Sequence, residues 1–136
     1  FSSANPAVTE MRGAELVAAL EHGLDPAVSH RKDHGFRGNP EGIPQLSGMR
    51  VQFDAGAANG SRVRQVLIDG TQLVAEQVYR VAHTDAESYA DLGYFDGKNF
   101  ETQFEVPTIL GEVLADYLTI QSPLPPVTLG RWQNVS

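Results

Sequence analysis

Val63-Arg-Gln-Val-Leu-Ile-Asp-Gly-Thr-Gln-Leu73 joins a β-branched, apolar run to a shorter second run through Asp69-Gly70. Asp-Gly tolerates the positive φ angles of a tight two-residue turn, so this stretch predicts a β-hairpin of Val63–Ile68 and Gln72–Leu73. Upstream, Met49-Arg-Val-Gln-Phe53 alternates apolar and polar residues at period two, which places Met49, Val51 and Phe53 on one face of a half-buried strand. Ala55–Ser61, with two glycines and an Asn-Gly step, reads as the turn between them. Downstream, Val78-Tyr-Arg-Val-Ala82 is β-branched and aromatic enough for a further strand, leading into His83–Asn99, where little periodicity is visible.

Helical patterns flank this strand-rich centre. From Gly13 to His22 the apolar residues Ala14, Val17, Ala18 and Leu20 recur at helical spacing, Glu15 lies in the first turn and Gly23 is expected to supply the stop. Asp25–Pro44 is rich in charge, glycine and proline and reads as an excursion with one helical turn. Pro107 is placed to open a second helix, because its missing N–H costs nothing at the first helical position. In that helix Ile109, Leu110, Val113, Leu114, Tyr117 and Leu118 form one stripe, opposite Glu112 and Asp116, and the stripe is expected to pack on the sheet. Pro123, Pro125 and Pro126 end regular structure, and Val127–Trp132 is expected to be a terminal edge strand. Together these elements predict an α+β fold: a mostly antiparallel sheet with helices packed on its faces.

Composition narrows the function. The 136 residues suffice for one domain, with 41% apolar and 20% charged residues, as in ordinary globular proteins. No apolar stretch approaches the roughly 20 residues that span a bilayer, so no membrane span is expected. The net charge is −7 and the ten basic residues are dispersed, which removes nucleic acid as an expected partner. The chain has no cysteine, hence no disulfide and no thiolate metal site. Phe1-Ser-Ser-Ala-Asn-Pro-Ala7 shows neither an initiating methionine nor an export signal and reads as the interior of a larger protein.

Four segments carry a resemblance: Arg12-Gly-Ala-Glu-Leu16, Gly42-Ile-Pro-Gln-Leu-Ser-Gly-Met49, Tyr79-Arg-Val-Ala-His-Thr-Asp85 and Leu129-Gly-Arg-Trp132. In this order and spacing the chain resembles the C-terminal domain of 5'-nucleotidases and UDP-sugar hydrolases over nearly its whole length. The resemblance implies that residues 1–136 are one domain that recognises the nucleoside, cut from a longer chain whose N-terminal metallophosphoesterase domain holds two divalent metal ions. It implies no catalytic residue, metal site or cofactor in this part. The partners it implies are a nucleotide or related phosphorylated small molecule and the protein's own N-terminal domain, in a secreted, periplasmic or cell-surface setting.

The residues that the resemblance assigns to substrate binding are Ile43, Gln45, Asp85, Tyr89, Asp91 and Tyr94. Departures from the family pattern fall among them. Ile43 and Ala86 stand where the family has its two stacking phenylalanines, and Leu92 replaces the carboxylate that would hold the ribose hydroxyls, with Asp91 beside it. The alternative is a re-purposed binding or structural module that no longer takes ordinary nucleotides.

Other constellations are weighed against plainer readings. His30 and His34 at i, i+4 with Asp33 between them have zinc-compatible spacing, but lack a third ligand in sequence and read as two solvated histidines. His83 reads as a hydrogen-bonded residue at a strand end, with a role in the site as the alternative, because the family segment it resembles lines the cleft. Asp85, Glu87 and Asp91 form a carboxylate cluster without a partner base or nucleophile, which favours a structural or binding role over acid–base work. Tyr89, Tyr94 and Phe95 are candidates for a base platform or for the apolar underside of a loop, and Tyr89 or Phe36 is a candidate replacement for a lost stacking ring. Ser47-Gly48 reads as a structural turn.

Overall fold

The computed structural model describes residues 4–30, 42–88, 94–95, 102–104 and 108–136. The elements run β1 (Pro6–Arg12), α1 (Gly13–Leu24), α2 (Pro26–Ser29), β2 (Met49–Phe53), β3 (Val63–Ile68), β4 (Thr71–Gln72), β5 (Val78–Thr84), a 3₁₀ turn (Asp85–Ser88), β6 (Thr102–Phe104), α3 (Leu110–Gln121) and β7 (Trp132–Asn134). They form two sheets, of order β5-β1-β6 and β4-β3-β2-β7, in which every pair is antiparallel except β2 with β7. The α+β class and the antiparallel character are as expected from sequence, but there are two sheets rather than one.

The hairpin turns where Asp69-Gly70 predicts it. Asp69 has φ 49° and Gly70 φ 81°, the left-handed pair that a two-residue turn needs. On β2, Val51 is fully buried while Arg50 is exposed. The register with β3 shifts between Gln52 and Phe53, so that Arg64 becomes an extra residue and Val63 turns to the core side. Arg64 pairs instead with Asp54 at 2.8 Å, and this hydrogen bond holds the Asp54 carboxyl below its ordinary pKa.

Two strands were not foreseen. β1 begins at the end of the segment read as chain interior and runs through residues given no element from sequence, yet it is the central strand of the first sheet, with Ala7, Thr9 and Met11 buried at period two. Its signal was muted because one of the three inward residues is a threonine. β6 contributes only three residues, too few for a periodic pattern.

α1 serves both sheets. Leu16 and Ala19 join the cluster of Met11, Val28, Tyr94 and Phe95, while Leu20 joins Val51 and Val66. Its end differs from expectation, because the helix passes through Gly23 and stops at Leu24. Asp25 precedes Pro26 and is thereby biased out of the helical region, and its carboxylate accepts the Ala27 N–H at 2.8 Å to start α2. Gly23 answers a packing need, since a Cβ there would lie 2.7 Å from Pro44 Cδ and 3.2 Å from Tyr94 Cδ1.

α3 forms as predicted but begins at Leu110, and Pro107 lies outside the described residues. Its stripe does not pack on a sheet. No residue of α3 is buried, and Leu114 and Tyr117 are each 52% exposed. Helical periodicity states which side chains share a face, not what covers it. The expected terminal edge strand is present as β7, displaced toward the C-terminus.

Candidate functional site

The segment Gly42–Leu46 has no regular structure, yet four hydrogen bonds tie its backbone to three different parts of the fold. The Gly42 N–H donates to the Ser29 carbonyl at 2.8 Å, and the Tyr94 hydroxyl donates to the Gly42 carbonyl at 2.8 Å. Trp132 Nε1 donates to the Pro44 carbonyl at 2.8 Å, and the Arg131 guanidinium donates to the Leu46 carbonyl. Arg131 and Trp132 thus act as clamps, a role that reading them as part of a terminal strand did not anticipate.

This clamped segment forms one wall of a cleft of about 650 Å3. Ile43 and Gln45 line it together with Tyr94, His83, Glu87 and, from α3, Leu110 and Val113. Ile43, at 39% exposure, offers an apolar edge. The cleft therefore brings together three of the residues expected from the resemblance: Ile43, Gln45 and Tyr94. Asp85 is not among its walls. It is 7% exposed, its N–H donates to the Asn5 carbonyl at 2.9 Å and its carboxylate accepts the Asn5 amide at 3.3 Å, so it anchors the start of β1. Tyr89 and Asp91 lie outside the described residues, as do Asp33, His34, Phe36 and Leu92.

The polar residues of the cleft are mostly committed to the fold. Glu87 accepts the Thr84 N–H at 2.8 Å and the Thr84 hydroxyl, closing the 3₁₀ turn in the manner of a capping box. His83 sits within β5, and its plain reading holds. The Thr84 carbonyl can only accept, so His83 Nδ1–H donates to it at 2.6 Å. In the neutral ring Nε2 then accepts the Thr9 hydroxyl at 2.7 Å. The Thr9 oxygen in turn accepts from Thr102 at 2.8 Å, and Phe95 packs edge-on against the imidazole, with ring centroids 4.9 Å apart.

Tyr94 is 7% exposed, and burial pushes its phenol pKa above the ordinary 10.0, with a smaller contribution from the Glu87 charge. The folded state therefore holds this proton more tightly than the unfolded chain does. The resulting stability is present below pH 10 and is lost as pH rises through the folded value. Tyr94→Phe should lose the hydrogen bond to Gly42, at about 1 kcal/mol, and should flatten the alkaline decline in stability. Urea denaturation of both proteins from neutral to alkaline pH checks this, and parallel alkaline limbs would show that Tyr94 is not the titrating group.

Among the described residues no three His, Asp or Glu side chains gather as a metal-ligating group. His30 makes a long contact with Ser29 Oγ at 3.5 Å. The donor set for a pair of divalent ions is not found among these residues.

Solved structures that share this architecture include the following three. A 5'-nucleotidase precursor from Thermus thermophilus superposes with a TM-score of 0.71 at 24% identity, over 98% of this chain and 26% of that one. The sulfate thiohydrolase SoxB of the same organism, in complex with glycerol, matches with a TM-score of 0.68 at 20% identity, over 97% and 22%. A putative 5'-nucleotidase from Staphylococcus aureus, in complex with alpha-ketoglutarate, matches with a TM-score of 0.72 at 14% identity, over 97% and 27%. At these identities the likeness establishes the fold, and the chain spans about a quarter of the length of each. No curated protein matches in sequence. The family described as 5'-nucleotidase, C-terminal domain, matches residues 2–97, from ahead of β1 to just past Phe95. By that match, covering well over half of its length, the chain belongs to the 5'-nucleotidase C-terminal domain family.

Proposed function

We propose that this domain is the substrate-recognition part of a metal-dependent, 5'-nucleotidase-like phosphohydrolase and that it seats the nucleoside portion of its substrate in the Ile43–Gln45–Tyr94 cleft. The observation that carries the reading is the convergence of these three residues on one cleft whose backbone wall is hydrogen-bonded in place. A wall fixed before binding does not have to be ordered by the ligand, which lowers the cost of association. In this reading hydrolysis belongs to a second domain, whose divalent ions would supply the Lewis acidity that phosphate-ester hydrolysis requires. This domain supplies position and selectivity and no catalytic group. A secreted, periplasmic or cell-surface setting belongs to the same reading, and no helix among the described residues is long and apolar enough to cross a membrane.

Calorimetric titration with adenosine, uridine and their monophosphates tests the reading. Saturable binding is expected, and Ile43→Glu should weaken it about tenfold or more by placing a charge where the ligand buries apolar surface. Flat traces for all four compounds would overturn it.

A second reading, a cleft re-purposed for a ligand other than an ordinary nucleotide, is favoured by one feature. Ile43 stands at a stacking position, and the Tyr94 hydroxyl is tied to Gly42 while its ring lies against Gly23 in the core. Base stacking, worth roughly 1–3 kcal/mol per ring, then has no open ring face from Tyr94. The same fold in a sulfate thiohydrolase fits this reading, since the architecture is not confined to nucleotidases. Flat traces with nucleosides are what it predicts.

A further inference from the structure

Gln45 also borders a second hollow, of about 680 Å3, whose walls include Gly48, Tyr79, Arg80 and Arg131. An adjoining hollow of about 470 Å3 shares Gly48, Met49, Asp69 and Arg131 with it and adds Arg50. With those walls in common the two make one groove around the Ser47-Gly48 turn. None of Ile43, His83, Glu87 and Tyr94 borders it.

Three arginines edge this groove in a chain of net charge −7. The other described arginines are engaged elsewhere. Arg62 donates to the carbonyls of Ala57 and Leu24, Arg64 pairs with Asp54 and Arg12 lies 3.8 Å from Glu76. Arg131 gives one N–H to Leu46 and retains further donors of its five. Arg50 and Arg80 stand at exposed positions of β2 and β5. Their side chains make no hydrogen bond or ion pair among the described residues, so their donors are open to a ligand. Asp69 is the one carboxylate among the described lining residues, and Met49, Ile68 and Val81 supply apolar wall.

We propose that this groove binds a small oxyanion carrying an apolar group, such as a phosphomonoester. Guanidinium forks match the paired oxygens of phosphate or carboxylate and form charge-assisted hydrogen bonds with them. A concave wall concentrates the field of the three cations, while the apolar side favours an anion with a hydrocarbon or ring attached. Apart from Gln45, the groove shares none of the residues assigned to the nucleoside cleft, so the proposal survives the failure of that reading.

Amide NMR titration of the chain with phenyl phosphate, and separately with inorganic phosphate, at low ionic strength tests it. Saturable shifts are expected at Gly48, Asp69, Gly70 and Thr128. Arg50→Ala and Arg80→Ala should each weaken binding about threefold or more, the scale of an exposed charge contact. Arg64→Ala, an exposed arginine outside the groove, should leave it unchanged. Asp69→Asn should tighten binding by a similar factor, since it removes the opposing charge and asparagine tolerates the left-handed φ of 49° at that position. Phenyl phosphate binding more tightly than inorganic phosphate supports the apolar wall, and equal affinities overturn that part and leave free phosphate as the ligand. Shifts that fail to saturate, or an equal loss in Arg64→Ala, indicate diffuse charge attraction and overturn the site.

Discussion

Gly13→Ala is expected to destabilise the domain by about 3 kcal/mol or more, against the usual direction of a glycine-to-alanine change at a helical position. A Cβ at Gly13 would lie 2.2 Å from the Val74 carbonyl oxygen and 2.9 Å from its carbon. Those atoms cannot move aside, because the first turn of α1 is bonded to the same segment, Gly13 N–H to Gln77 and Ala14 N–H to Ala75, both at 2.9 Å. Gly111 is the matched control. It also lies in the first turn of a helix, and nothing stands within 4 Å of a Cβ added there. Gly111→Ala should therefore stabilise by about 0.5–1 kcal/mol through the reduced entropy of the unfolded chain. Urea melts of the two variants check the pair, and a Gly13→Ala protein as stable as the parent would show that the segment around Val74 can yield.

The second large effect is expected at Thr9, which is 0% exposed. Thr9→Val keeps the shape and removes the hydroxyl that donates to His83 Nε2 and accepts from Thr102. An imidazole nitrogen of the half-buried His83 deprived of its donor costs about 1–3 kcal/mol, which at roughly 4 °C per kcal/mol lowers Tm by about 4–12 °C. Thr9→Ser retains the hydroxyl and should lose only the contacts of one methyl, about 1 kcal/mol. Nitrogen chemical shifts of the His83 ring provide a second measurement. The parent should show the Nδ1–H tautomer, and Thr9→Val should change the Nε2 signal. If Thr9→Val and Thr9→Ser melt together, the hydroxyl is not what holds this site.

The His83 network illustrates how far a linear pattern reaches. A histidine after an apolar strand is recognisable as a strand-end residue, and its hydrogen bonding was expected. Its partners were out of reach, because Thr9 lies 74 residues from His83 and 93 from Thr102 in the chain. Arg131 and Trp132 teach the same lesson. They stand in a recognisable closing motif, but the 85 and 88 residues that separate them from Leu46 and Pro44 hide the fact that they clamp one wall of the cleft. Asp85 runs the other way, since a carboxylate in a motif that resembles a binding strand turns out to anchor β1 through Asn5.

Local rules were enough for the hairpin, the two long helices and the antiparallel α+β class, because each depends on neighbours in sequence. The Asp69-Gly70 turn needs only backbone that tolerates positive φ, and a helix needs only a repeat near 3.6 residues. Tertiary packing alone decided the partition into two sheets, the passage of α1 through Gly23 toward Pro44 and Tyr94, and the exposure of the apolar stripe on α3. Each of these depends on which distant surface meets a given face, and periodicity carries no information about the identity of that surface.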